Sequence, residues 1–249
     1  MDLVAIHCEP GIEWQSRRAP AFKRGLQRIG INSIITNSRY RETKQAVLLG
    51  TTCWRHIEEN GDFLLVDRAS YGDPEFVQLV WNGHGRRGNH CVPEDPNGMR
   101  WHFHSAKHSL FDWDKSGARV VLCGQTDTWT DGYSTIEEWY WRAQRGLPVT
   151  HFRTHPAGTN PTGLARAVDW SDVGLAITLN SSVGVEAVMC GIPTVTMDEG
   201  AMAWDVSSHN PAERIMPKRR KWLEWLAWTQ WSWQEIELGY PIQHLFEDT

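Results

Sequence analysis

Asn180-Ser181-Ser182 stands directly before Val183-Gly-Val-Glu-Ala-Val-Met189, a run of small and apolar residues that predicts a helix. A turn feeding a helix exposes backbone N–H groups, here beside two hydroxyls, where the helix dipole favours negative charge; phosphate is the natural ligand. Glu186, in the first turns, could accept hydrogen bonds from a ribose diol, while Gly184 and Ala187 keep the helix slim. The same residues also serve as ordinary caps, with a serine accepting a first-turn N–H and a glutamate complementing the dipole. What decides between the two uses is whatever else reaches this helix start.

Other residues with chemistry lie at strand ends. Phe152-Arg-Thr-His-Pro156 follows a strand upstream of the helix, and Asp67 ends the apolar run Phe63-Leu-Leu-Val66. Glu9 and Glu13 fall in the loop after the first strand, Leu3 to Ile6, where open α/β sheets bind ligands at their carboxyl edges. His102, His104 and His108, with His84, His90 and Cys91 nearby, make a zinc site thinkable, but no HExxH or paired CxxC accompanies them, so no metal is expected. One of these histidines could line an acceptor site. No dinucleotide fingerprint, P-loop or nucleophile elbow is present.

The order strand, Asn-Ser-Ser, Gly-Val-Glu-Ala, Cys-Gly-Ile-Pro-Thr-Val resembles the nucleotide-binding signature of GT-B glycosyltransferases. Arg153-Thr-His155-Pro156 resembles the His-Pro motif that bacterial sialyltransferases and capsule-type Kdo transferases pair with a Ser-Ser motif. The tail Arg220-Lys-Trp-Leu-Glu-Trp-Leu-Ala-Trp-Thr-Gln-Trp-Ser-Trp-Gln-Glu-Ile-Glu-Leu-Gly239 looks like that of phage and bacterial glycosyltransferase-like proteins. The resemblance covers residues 150–240 and weakens upstream. It implies that Arg153 pairs with a donor phosphate and that His155, fixed by Pro156, donates to the same group. It also implies a catalytic residue from the amino-terminal half. Asp67 ranks first, in Leu64-Leu-Val-Asp-Arg-Ala-Ser-Tyr-Gly72, which resembles a strand-end segment of the same group, and Glu9 second. An inverting transfer would then need one base and a phosphate leaving group held by Arg153, His155 and the Ser181-Ser182 amides, with no metal.

The elements that must position these residues alternate along the chain. Strands at 3–6, 31–36, 47–49, 63–66, 118–123, 148–153, 175–179 and 194–197 interleave with helices at 19–29, 53–60, 136–145 and 183–189, as in a parallel α/β protein. Residues 77–109, rich in Gly, Asn, His and Pro, read as hairpins and loops, and 217–238 as one Trp-rich helix whose tryptophans pack against the core. Charged residues at 22% and hydrophobic residues at 41% fit a globular chain, and a net charge of -5 gives no global pull toward nucleic acid. Five scattered cysteines suit a reducing compartment, and no apolar run approaches a membrane span. A cytoplasmic protein without a membrane partner is expected.

These observations and the resemblance give a GT-B-like α/β fold with two Rossmann-like halves facing a cleft. Residues 1–115 would form the acceptor half and 116–249 the donor half with its terminal helix. The expected activity is transfer of a sugar from a UDP- or CMP-linked donor to a hydroxyl. Phage-like members suggest a hydroxymethylated pyrimidine in duplex DNA as acceptor, which the clusters Arg17-Arg18-Lys23-Arg24 and Arg86-Arg87 could contact through phosphates; they also read as solvated faces. The rivals are a nucleotide-sugar epimerase or hydrolase of the same fold, and a non-catalytic nucleotide-binding phage protein.

Overall fold

The computed structural model describes residues 3–37, 43, 45–50, 53, 62–114, 116–125, 136–145, 149–153 and 168–247. The chain divides into two compact units, Met1–Arg100 with Glu224–Thr249, and Trp101–Leu223.

In the first unit, β1 (Val4–His7), β2 (Ser33–Thr36), β3 (Gln45–Leu49) and β4 (Asp62–Arg68) run parallel, and β5 (Phe76–Trp81) turns back antiparallel to β4. The sheet order is β10-β5-β4-β3-β1-β2, where β10 is Gln230–Ser232 from the far end of the chain. Successive residues alternate between faces, so Val47, Leu49, Leu64 and Val66 join Phe22 and Leu26 of α1 (Glu13–Arg28) in one core. Leu48, Phe63 and Leu65 face the other side with Cys53 and Val80.

Three expectations need correction here. Helix α1 starts six residues before Ala19 and carries Pro20 in its interior, because the face Ala19, Phe22, Leu26 buries enough apolar surface to offset a lost backbone bond. Residues 76–81 form one strand antiparallel to β4, where 77–109 read as hairpins and loops with no strand bounds. β5 is buried throughout, so its sequence never alternates, and its one polar residue, Gln78, accepts from Ser70 Oγ at 2.9 Å. The tail is broken in three: α5 (Arg220–Thr229), β10, then α6 (Trp233–Leu238), followed by α7 (Tyr240–Glu247). Gln230-Trp-Ser leaves the helix to pair antiparallel with β5, and Ser232 with Glu235 forms a capping box that restarts it. The tryptophans pack as expected, Trp231 and Trp233 in the core with Arg100 held 3.8 Å over Trp231 and bonded to Glu235 at 2.9 Å.

Among its described residues the second unit holds four parallel strands in the order β7-β6-β8-β9: β6 (Arg119–Cys123), β7 (His151–Arg153), β8 (Val173–Thr178) and β9 (Thr194–Thr196). One face packs Val120, Leu122, Leu175 and Ile177 against Trp139 and Ala143 of α3 (Ile136–Gln144). The other packs Val121, Cys123 and Ala176 against Val183 and Ala187 of α4 (Val183–Met189). Helices on both faces explain the unbroken apolar strands. The boundary drawn at 115/116 therefore differs from the observed division at 100/101. Residues 224–249 return to the first unit because β10 completes its sheet.

Candidate active site

Helix α4 forms where the sequence places it, and its ends show why. At the carboxyl end, Ile192 N–H bonds Ala187 O at 2.9 Å and Gly191 N–H bonds Val188 O at 3.1 Å, the paired closure that requires a left-handed residue between them. Gly191 supplies it, with φ 78°. The segment Phe111 to Asp114 then docks on this turn, Phe111 N–H to Met189 O at 2.9 Å and Asp114 N–H to Gly191 O at 2.7 Å. The Gly of Cys-Gly-Ile-Pro is thus fixed by geometry, whatever the helix binds.

At the amino end, the capping use of the serines is weak. Ser182 sits in helical conformation (φ -56°, ψ -21°) with no side-chain cap bond, and Ser181 Oγ accepts from Val183 N–H only at 3.4 Å. Ser182 is exposed. The exposed Ser182 therefore stands at the carboxyl end of β8 without a capping role.

Arg153 lies at the same edge. It ends β7, in register with Cys123 of β6, and its carbonyl accepts from Gly124 N–H at 2.7 Å. Burial pushes the Cys123 thiol up to about 12, the Arg153 charge opposes that, and the Glu186 carboxylate reinforces it. Cys190, on the same helix as Glu186, is raised by burial and then by that carboxylate.

Two residues missed in the sequence complete the arrangement. Gln125 Nε2 donates to Asn180 Oδ1 at 2.6 Å, tying the end of β6 to the loop before α4. A polar residue just beyond a buried strand was a usable signal for it. Trp170 Nε1 donates to Glu186 Oε1 at 3.0 Å and fixes that carboxylate; nothing in the sequence spacing pointed to Trp170. The structure thus groups Arg153, Asn180, Ser181 and Ser182 on one edge of one unit, while Glu186 lies within α4, bonded to Trp170 just before β8. His155 and Pro156 lie outside the described residues.

Asp67 and Glu9 belong to the first unit, at the carboxyl edge of its parallel strands. Asp67 is the penultimate residue of β4, opposite Gln78, and its Oδ1 accepts from Arg68 N–H at 2.7 Å. Burial raises its pKa above the ordinary carboxylate value, outweighing the Arg68 N–H and charge. Glu9 is buried beside Gln15, whose Oε1 accepts from the Glu9 N–H at 2.6 Å. Glu13 begins α1 and pairs with Arg17 at 3.4 Å.

The raised Asp67 value has a stability consequence. The folded state holds that proton more tightly than the unfolded chain, so the benefit is full below the ordinary carboxylate range and is lost as pH rises through the folded value. Asp67→Asn, always neutral, is expected to match the parent at acidic pH and to exceed it in stability toward neutral pH. Urea denaturation across a pH series checks this; a difference independent of pH would contradict it.

The cations considered for DNA phosphates are partly engaged elsewhere: Arg17 with Glu13, Arg18 with Glu75 at 3.4 Å, and Arg24 with Glu237 at 2.8 Å. Of the histidines, His90 sits between the Leu79 and Gly85 carbonyls, each at 2.8 Å, and His104 is fully buried. Among the described residues, no group of three or more His, Cys, Asp or Glu is placed to hold a metal ion, and no helix is long and apolar enough to cross a membrane.

Comparison with protein-family models and with curated proteins finds no match for this sequence. Among solved structures, the chain is similar to KpsC, the β-Kdo 2,7-transferase of Thermosulfurimonas dismutans, with a TM-score of 0.52 and 13% identity. The likeness covers 97% of this chain and 99% of that one. At this identity what the two share is an α/β fold, and that fold is one on which a glycosyltransferase is built.

Proposed function

We propose that this chain is a GT-B-type glycosyltransferase that moves a sugar from a nucleotide-linked donor, CMP or UDP, to a hydroxyl. The observation that carries the reading is that Arg153, at the end of β7, and the 180–182 turn, after β8, lie at the same carboxyl edge on either side of β6. The fold shared with a Kdo transferase supports it. In this reading the Ser181 and Ser182 amides and hydroxyls, with Arg153 and His155, hold the donor phosphate. The Trp170-fixed Glu186 carboxylate accepts from the ribose hydroxyls. Charge developing on the leaving phosphate is met by fixed donors, so no metal is needed for that step.

Asp67 is proposed as the general base that takes the acceptor hydroxyl's proton, with Glu9 as second choice. A base works best with a pKa drawn toward the working pH, and burial moves Asp67 in that direction. A hydroxymethylated base in duplex DNA is the narrower version of the acceptor, and it carries its own signature, binding that weakens steeply with added salt.

The test is to incubate the protein with CMP- and UDP-sugars, with and without hydroxyl acceptors, and follow nucleotide release. Release that depends on acceptor, and that falls about a hundredfold or more in Asp67→Asn while nucleotide binding persists, is the expected result. Release without any acceptor would favour a hydrolase or epimerase. Nucleotide binding with no turnover under any condition would favour a binding protein.

A further inference from the structure

Among the described residues outside the candidate site, the composition of one surface calls for an occupant. Segments 110–113 and 214–221 are stapled side by side. Arg219, buried, donates to the Phe111 carbonyl at 2.6 Å and to the Val188 carbonyl at 2.5 Å, and its guanidinium lies 4.0 Å over the Trp113 ring. Trp113 Nε1 in turn donates to Pro217 O at 3.0 Å. These bonds bring two pairs of exposed apolar side chains onto neighbouring segments: Leu110 (39% exposed) with Phe111 (59%), and Ile215 (37%) with Met216 (41%). Exposed apolar residues scattered singly are ordinary, but four on two stapled segments are not.

The charges beside them are as unusual for this protein. Residues 213–221 hold five Lys and Arg against one acid, Glu213, in a chain whose net charge is -5. Arg214, Lys218 and Lys221 are exposed. Glu213 bonds Asn210 Nδ2 at 3.1 Å, and Asp112 acts electrostatically on Arg219; Asp114, whose Oδ1 accepts from Ser116 N–H, is the remaining acid on the facing segment.

We infer that the 110–113 and 214–221 surface docks on an anionic lipid bilayer. Aromatic and aliphatic side chains beside a Lys- and Arg-rich segment match both layers of such a surface, the apolar boundary below and the negative headgroups above. A nucleic acid would use the cations but leave Phe111, Ile215 and Met216 in water, and a protein partner would have to desolvate Lys218 and Lys221, a residue type depleted from interfaces. Docking here needs no membrane span and is independent of the glycosyltransferase reading.

The test is co-sedimentation of the full chain with vesicles of equal parts phosphatidylglycerol and phosphatidylcholine, and with phosphatidylcholine alone. Binding to the first and little to the second is expected. Lys218→Glu with Lys221→Glu should lower the partition coefficient by roughly tenfold or more, since each basic residue near an anionic surface contributes about a fivefold factor. Phe111→Ser should lower it by about tenfold, with Met216→Ser as the substitution less able to disturb the fold. Arg28→Glu, the same reversal made at one position outside the surface, should leave it within about twofold. No vesicle binding, equal binding to neutral vesicles, or an equal loss in Arg28→Glu overturns the inference, as does salt-dependent binding to duplex DNA without vesicle binding.

Discussion

Gly191→Ala is expected to destabilise the protein by about 4 kcal/mol or more, enough to unfold a marginally stable domain. Two effects add. At φ 78° an L-residue carries roughly 1–2 kcal/mol of backbone strain. A methyl at this position would also overlap the Asp112 carbonyl oxygen, a backbone atom fixed by the bonds of Phe111 and Asp114 to the turn. Gly11→Ala separates the terms, because Gly11 has φ 86° and a methyl there meets nothing within 4 Å. It should cost only the strain. Thermal and urea denaturation of both variants check the difference, and equal losses would mean that the 110–114 segment does not press on this turn.

Arg153→Ala is expected to weaken CMP or UDP binding by about 30- to 100-fold, on the order of 2–3 kcal/mol, with much less effect on folding. The partly exposed side chain ends a short edge strand, so stability depends little on it, whereas a charge-assisted bond to phosphate depends on it directly. Arg153→Lys should recover only part of the affinity, since an ammonium keeps the charge but loses the planar fork. Calorimetric titration with each nucleotide reads the effect. An unchanged dissociation constant in Arg153→Ala would make this residue an ordinary strand end and remove one wall of the proposed phosphate site.

Elements with punctuated ends were readable from the sequence. Helix α4 is framed by Ser-Ser and by Cys-Gly-Ile-Pro, and both ends fall where those residues put them. The bounds of β5 were not readable inside a stretch of hairpins and loops rich in Gly, Asn, His and Pro, and its partner β10 lies far along the chain. The break in the tail left a trace in Ser232-Trp-Gln-Glu235, whose capping-box spacing signals a new helix start, but the steady recurrence of tryptophan masks it. Within the candidate site, the residues proposed to bind an anion could be named because their chemistry is local. Gln125 and Trp170 act through contacts made only by folding, and Asp67 gains its raised pKa only from burial.

The most direct test is to titrate isotope-labelled protein with CMP and with UDP while following the backbone amides of Ser181, Ser182 and Val183 together with the Arg153 side-chain Nε–H by NMR. The account predicts that all four shift along one binding curve, with a single dissociation constant, for the nucleotide that serves as leaving group. Shifts confined to other parts of the chain, or separate curves for Arg153 and for the helix start, would contradict it.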